Sequence, residues 1–248
     1  MRATPWEFRH RTWLIFGIFC AGLACYWFDP HSSGEAFAGW VRTHVAFLTP
    51  HSLQTSARVI FLAGGFVVGI GGMIRAWGGA YLRAEVIQDS KVRTERLLTD
   101  GPFRYTRNPL YLGVLIGVFG AGVMCSPAGW AVQTGLAFVF VYRLILREEE
   151  ELLATQGEAF RAYCRAVPRL LPAIKPRVLV SAARPHWGEA LVVQAPWWGI
   201  AAACVTWAVT LRPSLAFAVA GAGFVLHVGQ KYVVKAYYRP AAAPKGAR

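Results

Sequence analysis

The sequence predicts an all-α fold, a polytopic bundle of about six transmembrane helices, and three observations carry that expectation. Apolar residues are gathered into six blocks, at 12–28, 59–77, 109–125, 128–145, 190–211 and 214–230. Each approaches the ~20 residues that cross a hydrocarbon core. The 248 residues are 55% hydrophobic and only 16% charged, with a mean hydropathy of +0.38, which leaves too little polar surface for a soluble domain of this length. Finally, the basic residues fall in alternate connections between blocks, as the positive-inside rule requires.

Arg2, Arg9 and Arg11 precede the first block, whereas the 29–57 connection holds only Arg42. The next connection is strongly basic, with Arg83, Lys91, Arg93, Arg96, Arg104 and Arg107. Gly64, Gly65, Gly69, Gly71 and Gly72 put small residues along the second block, where close helix packing is expected. Ser126-Pro127 makes the third and fourth blocks a hairpin, and Arg212-Pro213 does the same for the fifth and sixth. Between the hairpins lie Arg147, Arg161, Arg165, Arg169, Lys175, Arg177 and Arg184, and the tail adds Lys231, Lys235, Arg239, Lys245 and Arg248. The alternation places both termini and both long basic loops in the cytoplasm. Three regions follow: spans one and two over 1–80, a core over 81–176, and a C-terminal hairpin with its basic tail over 177–248.

The net charge of +13 would suggest nucleic acid in a soluble protein. Here the cations lie between apolar blocks, so membrane lipid headgroups are the expected partner and nucleic acid is not. The five cysteines show no CxxC or Cys/His ligand spacing, and neither a metal site nor a disulfide framework is expected. Trp187, Trp197 and Trp198 read as interfacial belt residues, and His227 as a histidine near the cytoplasmic end of its span.

Two segments carry chemistry. Asn108 before Pro109 is a helix start, an N-cap followed by proline at the first helical position, with Arg104 and Arg107 alongside. Free backbone N–H groups at such a start suit a carboxylate or phosphate; equally, the same residues can simply cap and anchor a span. The second segment is Arg147-Glu148-Glu149-Glu150-Glu151, at the end of the fourth block. If that helix continues, Arg143, Arg147 and Glu151 share one face at i, i+4, i+8. Glu150 and Glu151 read as a solvated, ion-paired face, while Glu148 and Glu149, nearer the bilayer, are candidates for a cationic ligand.

These segments together resemble a known superfamily. Gly101-x-Phe103-x-x-x-Arg107-Asn108-Pro109-x-Tyr111 is followed by a hairpin and Glu148-Glu149-x-x-Leu152-Leu153. Then comes Gly157-x-x-Phe160-x-x-Tyr163-x-x-x-Val167-Pro168-Arg169-x-x-Pro172. The order and separation are similar to those of the isoprenylcysteine carboxyl methyltransferase and phospholipid methyltransferase superfamily, over roughly a third of the chain. The resemblance implies an integral-membrane enzyme that binds S-adenosyl-L-methionine and methylates a lipid-like or prenylated small molecule.

By the same resemblance Gln88, fifteen residues before Phe103, and the segment holding Glu95, Leu97 and Leu98 line the cofactor, with Gly101, Phe103, Asn108, Pro109, Tyr111 and Glu148. Phe103 keeps the ring of the family's tyrosine without its hydroxyl, and Asn108 stands where many members have histidine. Arg143, one residue out of register, matches an arginine that holds a substrate carboxylate. Arg143 or Arg107 would then steer the headgroup, and Glu149 would accept a proton from an amine acceptor. Two other classes share some of these features. Membrane enone or sterol reductases bind NADPH on a related helical fold but carry R-H-x-N-Y, and a non-enzymatic scaffold gives both motifs no common task.

Overall fold

The computed structural model describes residues 2–44, 53–82, 98–179 and 184–237, with side chains through residue 230. Described residues form helices and turns, with no strand among them. The order is α1 (Pro5–Arg9), α2 (Arg11–Ala24), α3 (Ser33–His44), α4 (Leu53–Tyr81), α5 (Pro109–Ala121), α6 (Pro127–Ala166), α7 (Trp187–Val193), α8 (Ala195–Thr210) and α9 (Pro213–Tyr237). Short 3-10 turns follow α2 and α5 and cover Gly101–Arg104.

Three helices are long and apolar enough to cross a membrane: α4, α6, and α9 over Pro213–Gln230. The α7–α8 pair, bent by 60°, makes a fourth if it is one span. The first and third blocks are shorter apolar helices, each ending in a 3-10 turn, at Cys25–Trp27 and Gly122–Met124.

α4 is the central element and packs most extensively against α5 and α8, while α9 packs on α8 and α2 on α6. Glycine explains the first contact. A Cβ on Gly71 would stand 2.6 Å from the Gly113 carbonyl oxygen and 2.7 Å from the Gly117 nitrogen, so the α4 and α5 backbones touch. Gly69, expected from sequence to pack as well, faces open space. Gly71→Val is therefore expected to cost about 3 kcal/mol or more, since only backbone could yield. Gly69→Val should leave the melting temperature nearly unchanged, and equal melting of the two variants by circular dichroism would contradict the packing.

The sequence reading missed two helices. α3 lies inside the 29–57 connection and packs on α4, opened by a capping box in which Ser32 Oγ accepts from Glu35 N–H at 3.2 Å. α1 opens on a second such box, Thr4 to Glu7, with Pro5 in the first turn. The Thr4-x-x-Glu7 and Ser32-x-x-Glu35 spacings were the signals. Residues 45–52 of that connection lie outside the described residues.

α6 continues well past the apolar block, 40 residues in all. Its ion-paired face is as expected, with Arg147 bonded to Glu151 at 2.6 Å and Glu150 to Arg2. At Gly157 the backbone turns through φ 53°, ψ −124°, a region that glycine enters at little cost. The last turns of α6 follow this break, and there Phe160 and Tyr163 are buried beneath the basic loops.

Candidate functional site

The end of the first basic loop, residues 103–107, is fastened to the second. Arg107 N–H donates to the Pro168 carbonyl at 2.9 Å, Ala173 N–H to Tyr105 at 2.9 Å, and Arg177 N–H to Arg104 at 2.9 Å. Tyr163 O–H donates to the Phe103 carbonyl at 2.6 Å, and Thr106 Oγ1 to that of Leu170 at 3.0 Å. Gly101 begins the turn beneath the Tyr81 ring, and Leu98 and Phe103 are half-buried beside it.

Glu149 is the centre of this clasp. Its Oε1 accepts from Arg107 Nε at 3.0 Å and Asn108 Nδ2 at 3.2 Å, and its Oε2 accepts from Arg169 Nε at 2.9 Å. The Arg107 and Glu149 side chains are only 10% and 11% exposed, which makes this a buried pair. Arg107 is further bonded to the carbonyls of Cys164 (2.9 Å) and Val167 (3.3 Å). The hydrogen bonds from Glu149 push the Arg169 pKa above its ordinary value. Asn108 does occupy the N-cap position before Pro109, but its side chain does not cap the helix. It reaches sideways to Glu149 and to the Arg169 carbonyl at 3.0 Å, because the clasp competes for the amide.

One turn into α5 the geometry changes. Tyr111 O–H donates to Glu148 Oε1 at 2.6 Å. Glu149 has both oxygens occupied by cations, whereas Glu148 keeps acceptor capacity on its other oxygen. Beside this pair opens a chamber of about 460 Å3, enclosed by α2, α4, α5, α8 and α9. Arg9, Arg11, Arg75, Tyr111, Gln194 and His227 line one end, and Leu23, Met124, Ile200 and Phe217 line the rest. The helices fix this polarity: Arg11 and Leu23 are twelve residues apart on α2, about 18 Å at 1.5 Å per residue. Gly199 and Gly223 meet backbone to backbone, which brings Gln194 and His227 to the same end.

Residues 59–156, from α4 into α6, match the family model described as phospholipid methyltransferase. The similarity to that family is confined to this segment. Over 98 residues it is 30% identical to a cobalt-zinc-cadmium resistance protein of Cupriavidus metallidurans, covering 40% of this chain and 42% of that protein. Over 128 residues it is 30% identical to a nickel-cobalt-cadmium resistance protein of Alcaligenes xylosoxydans xylosoxydans, covering 52% and 58%. The mouse (Mus musculus) protein-S-isoprenylcysteine O-methyltransferase is 33% identical over 91 residues, 36% of this chain and 32% of the relative. The chain thus spans about half the length of the first two relatives and a third of the mouse enzyme. No solved structure matches.

The matched segment holds all of the site residues expected from sequence, and the structure groups the described ones unequally. Tyr111 and Glu148 meet beside the chamber; Asn108, Arg107 and Glu149 meet in the clasp. Arg143 belongs to neither group. Its Nη2 is bonded to Glu7 Oε2 at 2.9 Å, and its carbonyl accepts from Ala3 N–H at 3.1 Å, so it docks α1 onto α6. The Thr4 backbone N–H, first among the causes, holds the Glu7 carboxyl below its ordinary pKa. Gln88, Glu95 and Leu97 lie outside the described residues.

Trp197 is not a belt residue: it is buried, with its ring against Gly117 and under the Arg75 guanidinium at 5.6 Å. Trp187 is exposed, as a belt residue would be. The sequence reading passed over Arg75 and Gln194. An arginine inside a 29-residue apolar helix was the available signal, since such residues carry function by default. Among the described residues, no three His, Cys, Asp or Glu side chains could together hold a metal ion.

Proposed function

We propose that this protein is an integral-membrane methyltransferase that uses S-adenosylmethionine and acts on a lipid-like substrate at the cytoplasmic face. The observation that carries this reading is the Tyr111–Glu148 pair, which lies within the segment matched to the methyltransferase family and whose Tyr111 lines a largely apolar chamber. In the same reading all six apolar blocks cross the membrane and both termini are cytoplasmic.

The residues present fit the cofactor. S-adenosylmethionine, when bound, supplies a methyl group on a sulfonium, whose sulfur keeps the bonding pair as the methyl leaves and needs no protonation. Glu148, oriented by the Tyr111 hydroxyl, has an acceptor oxygen left for the cofactor's ammonium or hydroxyl protons. Asn108 and Pro109 set the start of α5, and Leu98, Gly101 and Phe103 form the loop side of the same site. Arg107, Glu149 and Arg169 act one step back, by holding the two loops together. Both oxygens of Glu149 are taken by Arg107, Asn108 and Arg169, so that carboxylate is engaged in holding the loops and is not turned to a substrate. The acceptor is accordingly a group that attacks without losing a proton to it. What the chain contributes to rate is alignment of acceptor and methyl, and exclusion of water by the apolar walls.

Incubating membranes that contain the protein with methyl-labelled S-adenosylmethionine tests the reading. Label should pass into the organic-extractable fraction, and Glu148→Ala should abolish the transfer. Incorporation no greater than in membranes lacking the protein would overturn it.

A further inference from the structure

The chamber carries charge of one sign. Arg9, Arg11 and Arg75 line it, and no aspartate or glutamate does. Arg75 is the informative one. It lies on α4, six residues before that helix ends and packed among other helices, where a cation is costly unless something answers it. Its Nε donates to Gln194 Oε1 at 2.8 Å and its Nη1 to the Leu110 carbonyl at 3.0 Å. Among the described residues it has no carboxylate partner. Gln194 is itself 1% exposed, and its amide nitrogen is turned back to the Ala190 carbonyl, which fixes its oxygen on Arg75. A guanidinium positioned by two neutral acceptors, with no carboxylate partner among the described residues, suits an anion.

The rest of the chamber gives the shape of what accompanies that anion. From the arginine end it runs along α2 for about 18 Å past apolar side chains. A group of water or methylene size takes about 30 Å3 in a liquid, so the 460 Å3 holds about fifteen such groups. That is room for one long chain. The far walls come from α8 and α9, beyond the residues matched to the family.

We propose that Arg75, held by Gln194, binds the anionic oxyacid head of a single-chain amphiphile whose tail fills the chamber toward Phe217 and Met124. Carboxylate and phosphate heads share this chemistry. A cationic amine head would meet three arginines, and the nearest carboxylate, Glu148, lies behind Tyr111. The inference rests on the methyltransferase reading only for what happens next to the bound molecule; binding itself can be measured without cofactor.

The test is equilibrium binding to purified protein in nanodiscs, with palmitate, palmitoyl lysophosphatidate, hexadecanol, dipalmitoyl phosphatidate and inorganic phosphate as probes. Palmitate and lysophosphatidate should bind, and the tighter of the two identifies the head. Hexadecanol should bind about tenfold more weakly or worse, dipalmitoyl phosphatidate more weakly than its one-chain relative, and inorganic phosphate not at all. Arg75→Gln should weaken both one-chain anions at least about tenfold and leave hexadecanol unchanged. Ala220→Trp, which fills the chamber away from the head, should weaken all three one-chain probes.

Palmitate binding unchanged in Arg75→Gln, hexadecanol binding as tight as palmitate, or inorganic phosphate binding as tight as lysophosphatidate would each overturn the proposal. Should Arg75→Gln fail to fold, the unaltered protein still decides. Cys20 lines the chamber, so palmitate should slow its alkylation by a membrane-permeant maleimide more than hexadecanol does, and equal protection refutes the anion site. Titration with S-adenosylhomocysteine in the same preparation separates the two readings, because cofactor binding without amphiphile binding removes this inference alone.

Discussion

In titration calorimetry, Glu148→Gln should bind S-adenosylhomocysteine about 10- to 100-fold more weakly than the parent protein. The size follows from removing a charge-assisted hydrogen bond, about 1.5–3 kcal/mol, at about 1.4 kcal/mol per tenfold. The substitution keeps the shape of the side chain, and the amide oxygen can still accept from Tyr111, so the scaffold should survive. An unchanged melting temperature is the control. Tyr111→Phe should have a smaller effect, since it releases Glu148 from its orientation without removing the charge. Full affinity in Glu148→Gln would remove Glu148 from the cofactor site and with it the main support for the functional reading.

The second large effect concerns stability and falls on the neighbouring residue. Glu149→Ala strands Arg107 in a buried position and releases Asn108 and Arg169, so both basic loops lose their common anchor. Breaking a buried pair from one side costs about 3–5 kcal/mol, because the remaining cation is left without compensation. Glu150→Ala is the comparison. Glu150 and its partner Arg2 are 48% and 61% exposed, and such surface pairs contribute about 0–1 kcal/mol. Thermal melting followed by circular dichroism should therefore separate two adjacent glutamates by several degrees or more. Coincident melting curves would show that the clasp does not hold the loops.

This contrast within one run of four glutamates shows what was legible in the sequence. That Glu150 and Glu151 form an ion-paired face followed from helical spacing, and both do pair with arginine. That Glu148 and Glu149 differ from them followed from their place nearer the apolar block. That Glu148 and Glu149 differ from each other did not. Glu149 is claimed by Arg107, Asn108 and Arg169, from segments more than forty residues before and twenty after it, and no local periodicity encodes that convergence. Arg143 and Arg107 were similarly ambiguous in sequence, each a cation near a span end. Packing gave one to Glu7 of α1 and the other to the clasp.

The bent α7–α8 pair and Trp197 illustrate the same limit. An aromatic at the start of an apolar block reads as interfacial by position. Yet Gly117 on α5 leaves room for a ring, and the bend delivers Trp197 into it. Arg75 was hidden for the opposite reason, as one charge averaged away in a window of strongly apolar residues.

By itself, the amino-acid sequence determined that this is an all-helical chain with helices apolar enough for a membrane, and it determined which motif residues to examine. Hydrophobicity and helical propensity are properties of local composition, and the methyltransferase pattern is a property of order and spacing. Only the tertiary structure decided which carboxylate meets Tyr111 and which meets the arginines, which arginine is held by Gln194, and that helices from both ends of the chain line one chamber. Each of those depends on which side chains meet across helices, and that is settled by close packing among glycine, tryptophan and arginine far apart in sequence.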